Sequence, residues 1–225
     1  MNSTPAQRFQ DLLPAQAVLV EATPAMWDRG LFAEEDSLIR QSVQKRRREF
    51  TAGRNAARAA LAQFGFAPAA IPVGEKREPI FPPGISGSIT HTLDYCAVAA
   101  IRRGEVLSLG IDAELNEPLA GEVRRLIVSP DEESDLQAAL GSVACDGAKL
   151  AFSLKEAFYK AFFQQARMFL DFREAFVSVD ARRGEFTLRV LKTDVPEYFR
   201  QGPFTGKFRV DAQRIYAAIA LFETR

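Results

Sequence analysis

The pattern of apolar and polar residues predicts strands and helices in alternation along the chain. Alternating or continuously apolar runs predict strands at residues 17–20, 88–92, 97–101, 106–115, 176–180, 186–191, 206–211 and 214–221. Apolar residues spaced three or four apart predict a helix from about residue 33 and further helices at residues 43–64, 123–128, 131–140 and 146–165. Prolines and glycines between residues 67 and 87 predict a connector without regular structure. This pattern is typical of an α+β protein.

The order of strand, helices and antiparallel strands occurs twice. We therefore predict two similar lobes, residues 1–105 and 106–225, related by a pseudo-twofold axis. Each lobe would pack antiparallel strands on a long helix. The two halves share no evident residue identity, so this prediction concerns architecture alone. It places a functional site between the lobes.

The strand predicted at residues 106–115 carries two acidic residues on its polar side. Leucine, isoleucine and alanine alternate there with polar residues, which predicts one buried face. Asp112 and Glu114 are two residues apart and project from the same face, and Gly110 beside them leaves room. Carboxylate oxygens suit Mg²⁺, which completes its shell with water and substrate phosphates. The alternative is an ordinary solvated strand face.

The helix predicted at residues 146–165 is apolar on two opposite sides, so we expect it to be sandwiched inside the protein. Glu156 and Lys160 lie about 40° apart on its helical wheel, at a spacing that lets their side chains meet. Lys155 lies at the far edge of the same face. The alternative for this cluster is a simple helix ion pair, but the surrounding aromatic residues favour a functional role.

Arginines border the core side of the helix at residues 43–64, which begins with the basic run at residues 45–48. Such a run fits either a nucleic-acid surface or a phosphate site. Lys plus Arg and Asp plus Glu both number 29, so no net charge attracts nucleic acid, and a local phosphate site is favoured. His91 is the only histidine, and a single histidine on a strand is more often structural than catalytic.

The sequence also indicates where the protein is located, how its cysteines are used and what kind of ligand it binds. Residues 1–16 lack the pattern of a secretory leader, and no apolar run reaches 18 residues, so we expect a cytoplasmic protein outside the membrane. Cys96 and Cys145 are far apart and fit core positions better than a disulfide or a thiolate metal site. Three carboxylates with several cations fit a ligand that carries several phosphates, although no glycine-rich phosphate loop is present.

Four segments resemble the Sfp-type 4′-phosphopantetheinyl transferases, within the branch of the enterobactin synthase component D. They are residues 45–54 (KRRREFTAGR), 74–82 (GEKREPIFP) continuing to 87–91 (GSITH), 110–114 (GIDAE) and 152–161 (FSLKEAFYKA). With Leu170 they span residues 45–172 in the family's order, while the remaining residues are not distinctive. The resemblance implies the pseudo-twofold α+β fold with its active site between the lobes.

The resemblance also implies a reaction. The family transfers the 4′-phosphopantetheine arm of coenzyme A to a serine of an acyl or peptidyl carrier protein and releases adenosine 3′,5′-bisphosphate. Matching positions imply that Mg²⁺, or Mn²⁺ in its place, is held by Asp112, Ala113, Glu114 and Glu156. They imply catalytic roles for Glu156, Lys160 and Lys155, with Glu156 as the base for the serine proton. The coenzyme A contacts implied are Arg46, Arg54, Lys76, Arg77, Thr90, His91, Asp112, Lys155, Glu156, Lys160 and Leu170.

Two departures from the family pattern bear on substrate preference. Residues 164–168 replace a loop that often contains proline and basic residues, and Phe81 stands where tryptophan is frequent. The acidity of carrier proteins makes Arg124, Arg125 and Arg167 candidate docking residues. We expect a monomer, since one chain would supply both lobes. The alternatives are a coenzyme A-binding protein of the same fold without transferase activity, and a nucleic-acid-binding protein built on residues 45–58.

Overall fold

The computed structural model describes residues 8–223 as a mixture of helices and antiparallel sheets, which confirms the predicted α+β class. The strands are β1 Val18–Glu21, β2 Ile85–Thr92, β3 Tyr95–Arg102, β4 Val106–Leu115, β5 Ala175–Asp180, β6 Glu185–Val190, β7 Phe204–Val210 and β8 Arg214–Phe222. The helices are α1 Pro24–Asp28, α2 Ala33–Ile39, α3 Gln44–Ala62, α4 Gly121–Ile127, α5 Pro130–Leu140, α6 Gly147–Ala166 and α7 Glu197–Arg200.

The strands form two sheets that follow the order of the chain. The first sheet has the order β1-β3-β2, and the second has the order β4-β8-β7-β6-β5. Every pairing within them is antiparallel. The sheets differ in size, three strands against five. The pseudo-twofold relation and the division into residues 1–105 and 106–225 stay predictions.

Each sheet packs on one long helix. Helix α3 covers the first sheet through Ala56, Ala57 and Leu61, which contact Val98 and neighbouring apolar residues of β3. Helix α6 lies against β4 and β8, and its predicted apolar face is fully buried. On the opposite face Phe163 is buried, whereas Phe152 and Tyr159 are half-buried, and Tyr159 borders a cavity. The predicted burial of α6 is therefore complete on one face and partial on the other.

Strand β4 is buried on both faces, so the prediction of a single buried face is wrong. Its polar side packs directly on α6, because Ser108 donates a hydrogen bond to the Ala161 carbonyl at 2.9 Å. Gly110 lies where β4 and α6 approach most closely, and a Cβ atom there would overlap the Ala157 carbonyl oxygen. The room expected above Gly110 is therefore occupied by the helix backbone. The polar alternation of β4 marks contact with a helix rather than with solvent.

The two sheets meet along β2 and β4 through side chains. The hydroxyls of Ser86, Ser88 and Thr90, at every second residue of β2, accept hydrogen bonds from main-chain N–H groups of β4. The donors are the amides of Leu109, Ile111 and Ala113, at 3.0, 3.0 and 2.8 Å. We name these three contacts the hydroxyl seam. It satisfies buried amides of an edge strand that would otherwise lack acceptors.

The sequence of residues 1–16 predicts no secretory leader. Residues 1–7 of this stretch lie outside the described residues. Across residues 8–223, no helix combines the length and the apolar character needed to span a bilayer. Both cysteines are free; Cys96 is buried as predicted, and Cys145 is half-buried against the core.

Candidate active site

Asp112 lies at the centre of the site, where β4 faces α6. Its buried carboxylate accepts a hydrogen bond from Ser153 at 2.9 Å and from Thr90 at 3.4 Å. The ammonium of Lys160 is 2.7 Å from its Oδ1 atom and also donates to the Ile111 carbonyl at 3.1 Å. Strand β2, strand β4 and helix α6 therefore all contact this carboxylate. The predicted meeting of strand and helix is present in the structure.

Glu114 lies beside Asp112 and has a lysine partner of its own. The Lys149 ammonium, in the first turn of α6, is 2.6 Å from Oε2 of Glu114. Burial raises the pKa of Glu114, and the charge of Asp112 raises it further, while Lys149 and Lys160 lower it. These influences show that the carboxylates of Asp112 and Glu114 lie within electrostatic reach of each other.

Glu156 is the third carboxylate. Burial raises its pKa above the ordinary value; Lys160 lowers it, and the charges of Asp112 and Glu114 raise it. Within residues 8–223, no side chain or main-chain group forms a hydrogen bond or ion pair with this half-buried carboxylate. A carboxylate that is poorly solvated and lacks a partner can bind a cation or accept a proton.

The carbonyl of Ala113 completes the acidic end of β4. The preceding carbonyls that face the same way each accept a hydrogen bond from α6. Gln165 donates to Leu107, Gln164 donates to Leu109, and Lys160 donates to Ile111. No side chain in residues 8–223 donates to the Ala113 carbonyl. This oxygen can therefore accept a ligand beside the three carboxylates.

The donor set suits a hard divalent cation, since carboxylate and carbonyl oxygens are the ligands that Mg²⁺ prefers. The described residues nevertheless contain no group of three His, Cys, Asp or Glu side chains arranged to hold a metal ion. Two of the three carboxylates are instead paired with lysines: Lys160 contacts Asp112, and Lys149 contacts Glu114. The carboxylates therefore fit a cation by their chemistry, and ammonium groups neutralise two of them in this conformation.

A cavity of about 300 Å³ opens beside these carboxylates, between the loop at residues 76–81, strand β2 and helix α6. Glu156 and Lys160 line it. Four further cations also line it, and the only other anion among its lining residues is Glu78. The additional cations are Lys76, Arg77, Arg103 and Arg167. The excess of positive charge suits an anionic ligand.

A second, smaller cavity of about 60 Å³ meets the other side of Glu156. Its walls are mostly apolar and include Tyr159, Phe169 and Leu170. Glu156 and Tyr159 line both cavities. A charged chamber and an apolar chamber therefore share the Glu156 carboxylate.

Lys155 does not contact the three carboxylates through its ammonium, although the residue borders the smaller cavity beside Glu156, so its predicted role stays a prediction. Its buried ammonium is 2.9 Å from Oε2 of Glu132 and donates to the carbonyls of Ile127 and Phe172 at 2.8 and 2.9 Å. These three acceptors use every proton of the ammonium. Burial lowers the pKa of Lys155, while Glu132 raises it. The side chain joins α6 to α5 and to the segment before β5.

His91 and Arg46 lie together at the edge of the first sheet. An Nη atom of Arg46 is 3.2 Å from Nε2 of His91, and Oε2 of Glu49 is 3.6 Å from Nδ1. Burial lowers the pKa of His91, Glu49 and Asp112 raise it, and Lys160 and Arg46 lower it. The effect of Lys160 on the pKa of His91 indicates that the two predicted phosphate contacts lie near each other.

Thr90 and Arg54 are placed in buried contacts rather than on the cavity wall. The Thr90 hydroxyl belongs to the hydroxyl seam and bonds to Asp112. Arg54 lies 4.3 Å from the ring centroid of Phe50 and 3.9 Å from Oε1 of Glu35. Burial lowers the pKa of Arg54 to about 10, against the raising effect of Glu35. The structure therefore does not bring these two residues to the described cavities.

The three arginines predicted to dock a carrier differ in their surroundings. Arg124 forms ion pairs with Glu133 and Asp146, so its charge is already neutralised. Arg167 contacts Glu78 at 3.0 Å and lines the larger cavity. Arg125 is exposed, and the described residues provide it with no ion-pair partner. Arg124 is therefore the weakest of the three candidates.

Sequence reasoning missed four polar residues around the site. Ser153 and Lys149 each contact a site carboxylate, Gln164 bonds to Leu109 and Ser86, and Arg103 lines the larger cavity. Lys149 precedes Glu156 by seven residues, which places the two on the same side of the helix. The seven-residue spacing could therefore have identified Lys149 as a site residue from the sequence. Ser153 and Gln164 carry no charge, so the charge pattern could not single them out.

Two family models together cover most of the chain. The 4′-phosphopantetheinyl transferase N-terminal domain matches residues 34–101, and the 4′-phosphopantetheinyl transferase superfamily matches residues 108–218. The 4′-phosphopantetheinyl transferase PptT of Mycobacterium tuberculosis is 38% identical over 225 residues, covering 96% of this chain and 95% of that protein.

Two further relatives agree with these matches. The 4′-phosphopantetheinyl transferase Npt of Nocardia iowensis is 36% identical over 224 residues, covering 94% of this chain and 99% of that protein. The enterobactin synthase component D of Salmonella typhimurium is 37% identical over 146 residues, or 60% of this chain and 59% of that protein. The predicted resemblance is confirmed: the chain belongs to the 4′-phosphopantetheinyl transferase superfamily.

Proposed function

We propose that this enzyme transfers the 4′-phosphopantetheine arm of coenzyme A to a serine of an acyl or peptidyl carrier protein and releases adenosine 3′,5′-bisphosphate. Membership of the transferase family over nearly the whole chain supports the reaction class. The observation that carries the proposal is the position of Glu156. Its carboxylate lies between a cationic cavity and an apolar cavity, beside Asp112 and Glu114.

The two cavities match the two chemical parts of coenzyme A. The cationic cavity fits the phosphorylated nucleotide, with Lys76 and Arg77 on its wall. His91 lies near Lys160, and Arg46 beside it extends the positive surface for phosphate. The apolar cavity with Leu170, of about 60 Å³, can contact part of the pantetheine arm. In this arrangement Thr90 and Arg54 act by supporting Asp112 and helix α3 instead of touching the coenzyme.

Asp112, Glu114 and Glu156, with the Ala113 carbonyl, would hold Mg²⁺, or Mn²⁺ in its place. When bound, the cation supplies positive charge that stabilises the pyrophosphate oxygens during phosphoryl transfer. The chain itself fixes this arrangement. Ser153 and Thr90 orient the Asp112 carboxylate, and Gly110 allows β4 to approach α6 closely enough for the carboxylates to meet.

Glu156 is our candidate for the base that removes the carrier serine proton, directly or through a water molecule. Its raised pKa increases its proton affinity, as the role of a base requires. Lys160 stays charged, because Asp112, Glu156 and Glu114 outweigh the effect of burial and raise its pKa. Its side chain is 26% exposed and lines the larger cavity, so its ammonium can stabilise charge on the phosphate oxygens.

A direct test uses the purified protein with coenzyme A, Mg²⁺ and apo carrier proteins from fatty-acid, siderophore and polyketide pathways. Intact-mass measurement should detect the added arm on at least one carrier. Asp112→Ala and Glu156→Gln should abolish the mass gain while circular dichroism shows a folded protein. If coenzyme A protects the protein against heat and no carrier gains mass, the enzyme is a coenzyme A-binding protein without transfer activity. Full activity in either variant would contradict the site assignment.

We propose further that the enzyme works as a monomer in the cytoplasm and does not bind nucleic acid. Two free cysteines fit a reducing compartment. Equal numbers of acidic and basic residues give no general attraction to nucleic acid. Size-exclusion chromatography with light scattering tests the first point, and a DNA-retention assay at low salt tests the last.

A further inference from the structure

Lys149 is a buried cation that the proposed reaction does not use. Its ammonium lies 2.6 Å from Glu114 and 5.2 Å from the ring centroid of Phe152, and the residue is only 9% exposed. It occupies the first turn of α6, where the helix dipole disfavours a positive charge. Burial of an ammonium also carries a desolvation penalty. Contact with Glu114 is therefore what stabilises Lys149 in this position.

The Lys149 contact occupies the carboxylate that would hold a metal ion. A metal ligand must turn its lone pairs towards the cation, and one Glu114 oxygen already accepts a hydrogen bond from the ammonium of Lys149. Lys160 makes a similar contact with Asp112, but it also bonds to the Ile111 carbonyl and lines the ligand cavity. Lys149 lines neither of the two cavities next to Glu156. Its contact with the site is confined to Glu114 among the carboxylates of the described residues.

We infer that Lys149 is an internal counter-ion that a divalent cation must displace from Glu114, so that this lysine sets the metal affinity of the enzyme. The inference rests on the proposed role of Glu114 as a metal ligand. With the metal absent, Lys149 neutralises Glu114 and reduces the electrostatic repulsion among the three carboxylates. With the metal bound, the ammonium must move away. The observed affinity is then the intrinsic affinity reduced by the cost of opening this ion pair.

The test measures Mn²⁺ binding to the full chain by electron paramagnetic resonance of free Mn²⁺, without coenzyme A or carrier. Lys149→Met keeps the aliphatic stem against Phe152 and removes the charge, so Mn²⁺ should bind on the order of tenfold more tightly. Lys149→Arg keeps the charge and can bind the carboxylate through two N–H groups, so Mn²⁺ should bind more weakly than to the wild type. The arginine variant also guards against loss of folding in the methionine variant.

A matched control is Lys192→Met. Lys192 forms an ion pair of similar length, 2.7 Å, with Glu174, away from the three carboxylates. Its removal should leave Mn²⁺ affinity unchanged. Mn²⁺ binding to Lys149→Met that is equal to or weaker than binding to the wild type would overturn the inference, as would tighter binding to Lys149→Arg.

Glu114→Gln separates this inference from the proposed function. If Glu114 is a metal ligand, the variant should lose most of its Mn²⁺ affinity even though Lys149 is released. Wild-type affinity in Glu114→Gln would refute the metal-site assignment, and with it the inference. Weak binding in Glu114→Gln together with unchanged binding in Lys149→Met would retain the metal site and refute only the role of Lys149.

Discussion

Lys155 and Lys160 are five residues apart on the same helix, yet their surroundings are opposite. The Lys155 ammonium is enclosed by Glu132 and two carbonyls, and its side chain is 2% exposed. The Lys160 ammonium contacts Asp112 at the edge of a cavity, and its side chain is 26% exposed. The comparison shows that two lysines of one motif can differ in role: the Lys155 ammonium is held by groups of the fold at the edge of the smaller cavity, and the Lys160 ammonium contacts a site carboxylate.

The difference follows from helix geometry. Five residues turn an α-helix through about 500°, so the two side chains point about 140° apart. Lys160 therefore faces β4, whereas Lys155 faces α5 and the segment before β5. The two lysines should respond differently to the same substitution, and the following experiments test that difference.

The largest effect is expected from Lys155→Met. The substitution leaves the Glu132 carboxylate buried without its ion-pair partner and removes the donor from two carbonyls. We expect a loss of about 3–5 kcal/mol in the free energy of unfolding. Urea denaturation followed by circular dichroism measures it. A loss below about 1 kcal/mol, the range of exposed ion pairs, would contradict the structural role.

Lys160→Met should reduce kcat/KM by about 10²–10³-fold, because it removes a positive charge that stabilises phosphoryl oxygens in the transition state. Its effect on stability should be smaller than that of Lys155→Met. Ser153 still donates to Asp112, and water can reach the partly exposed position. A carrier-loading assay combined with urea denaturation measures both quantities. Unchanged kcat/KM would remove Lys160 from the proposed mechanism.

A double variant sharpens the assignment of Lys155. Lys155→Met combined with Glu132→Gln removes both charges and keeps an amide oxygen that can accept the Val177 N–H, now bonded to Glu132 at 2.8 Å. The double variant should regain about 2 kcal/mol relative to Lys155→Met, because no uncompensated charge remains buried. The same unfolding experiment measures this coupling. Additive losses in the two single variants would show that the ion pair is not the source of stability.

The smallest effect concerns pH. Glu156 must be ionised to accept a proton, so kcat/KM should fall as the pH decreases through its raised pKa, above the ordinary value of 4.5. Lys160 lowers the pKa of Glu156, so in Lys160→Met the acid limb of residual activity should move to higher pH. Lys155→Met should leave the limb unchanged, since Lys155 does not influence Glu156. pH–rate profiles of the wild type, Lys160→Met and Lys155→Met test this. An equal displacement of the acid limb in both variants would contradict the different roles of the two lysines.

Periodicity predicted every long element, because each buries an apolar face against a neighbour. The predicted helix at residues 146–165 agrees with α6, and the alternating run at residues 106–115 agrees with β4. The short helices α1 and α7 have five and four residues, too few to establish a helical period, and they were not predicted. Strand β4 was assigned one buried face because its polar residues resemble a solvated side. A neighbouring helix bonds those residues instead.

The site was predictable where charge and spacing agree. Asp112 and Glu114 share one face of β4, and Glu156 and Lys160 share one side of α6. The tertiary contact that turns Lys155 towards Glu132 joins α6 to α5 and depends on how these helices pack. No pattern within either segment encodes it. The same reason explains why Ser153 was missed, since only the approach of β4 gives its hydroxyl a carboxylate to bind.

The hydroxyl seam gives neighbouring amides of β4 different exchange behaviour. The N–H groups of Leu109, Ile111 and Ala113 bond to acceptors on the first sheet, so their hydrogens exchange with solvent when the two sheets separate. The amides of Gly110 and Asp112 point the other way, towards β8, and exchange when the second sheet itself opens. Hydrogen exchange at alternate residues of β4 therefore reports two separate events: separation of the two sheets and unfolding of the second sheet.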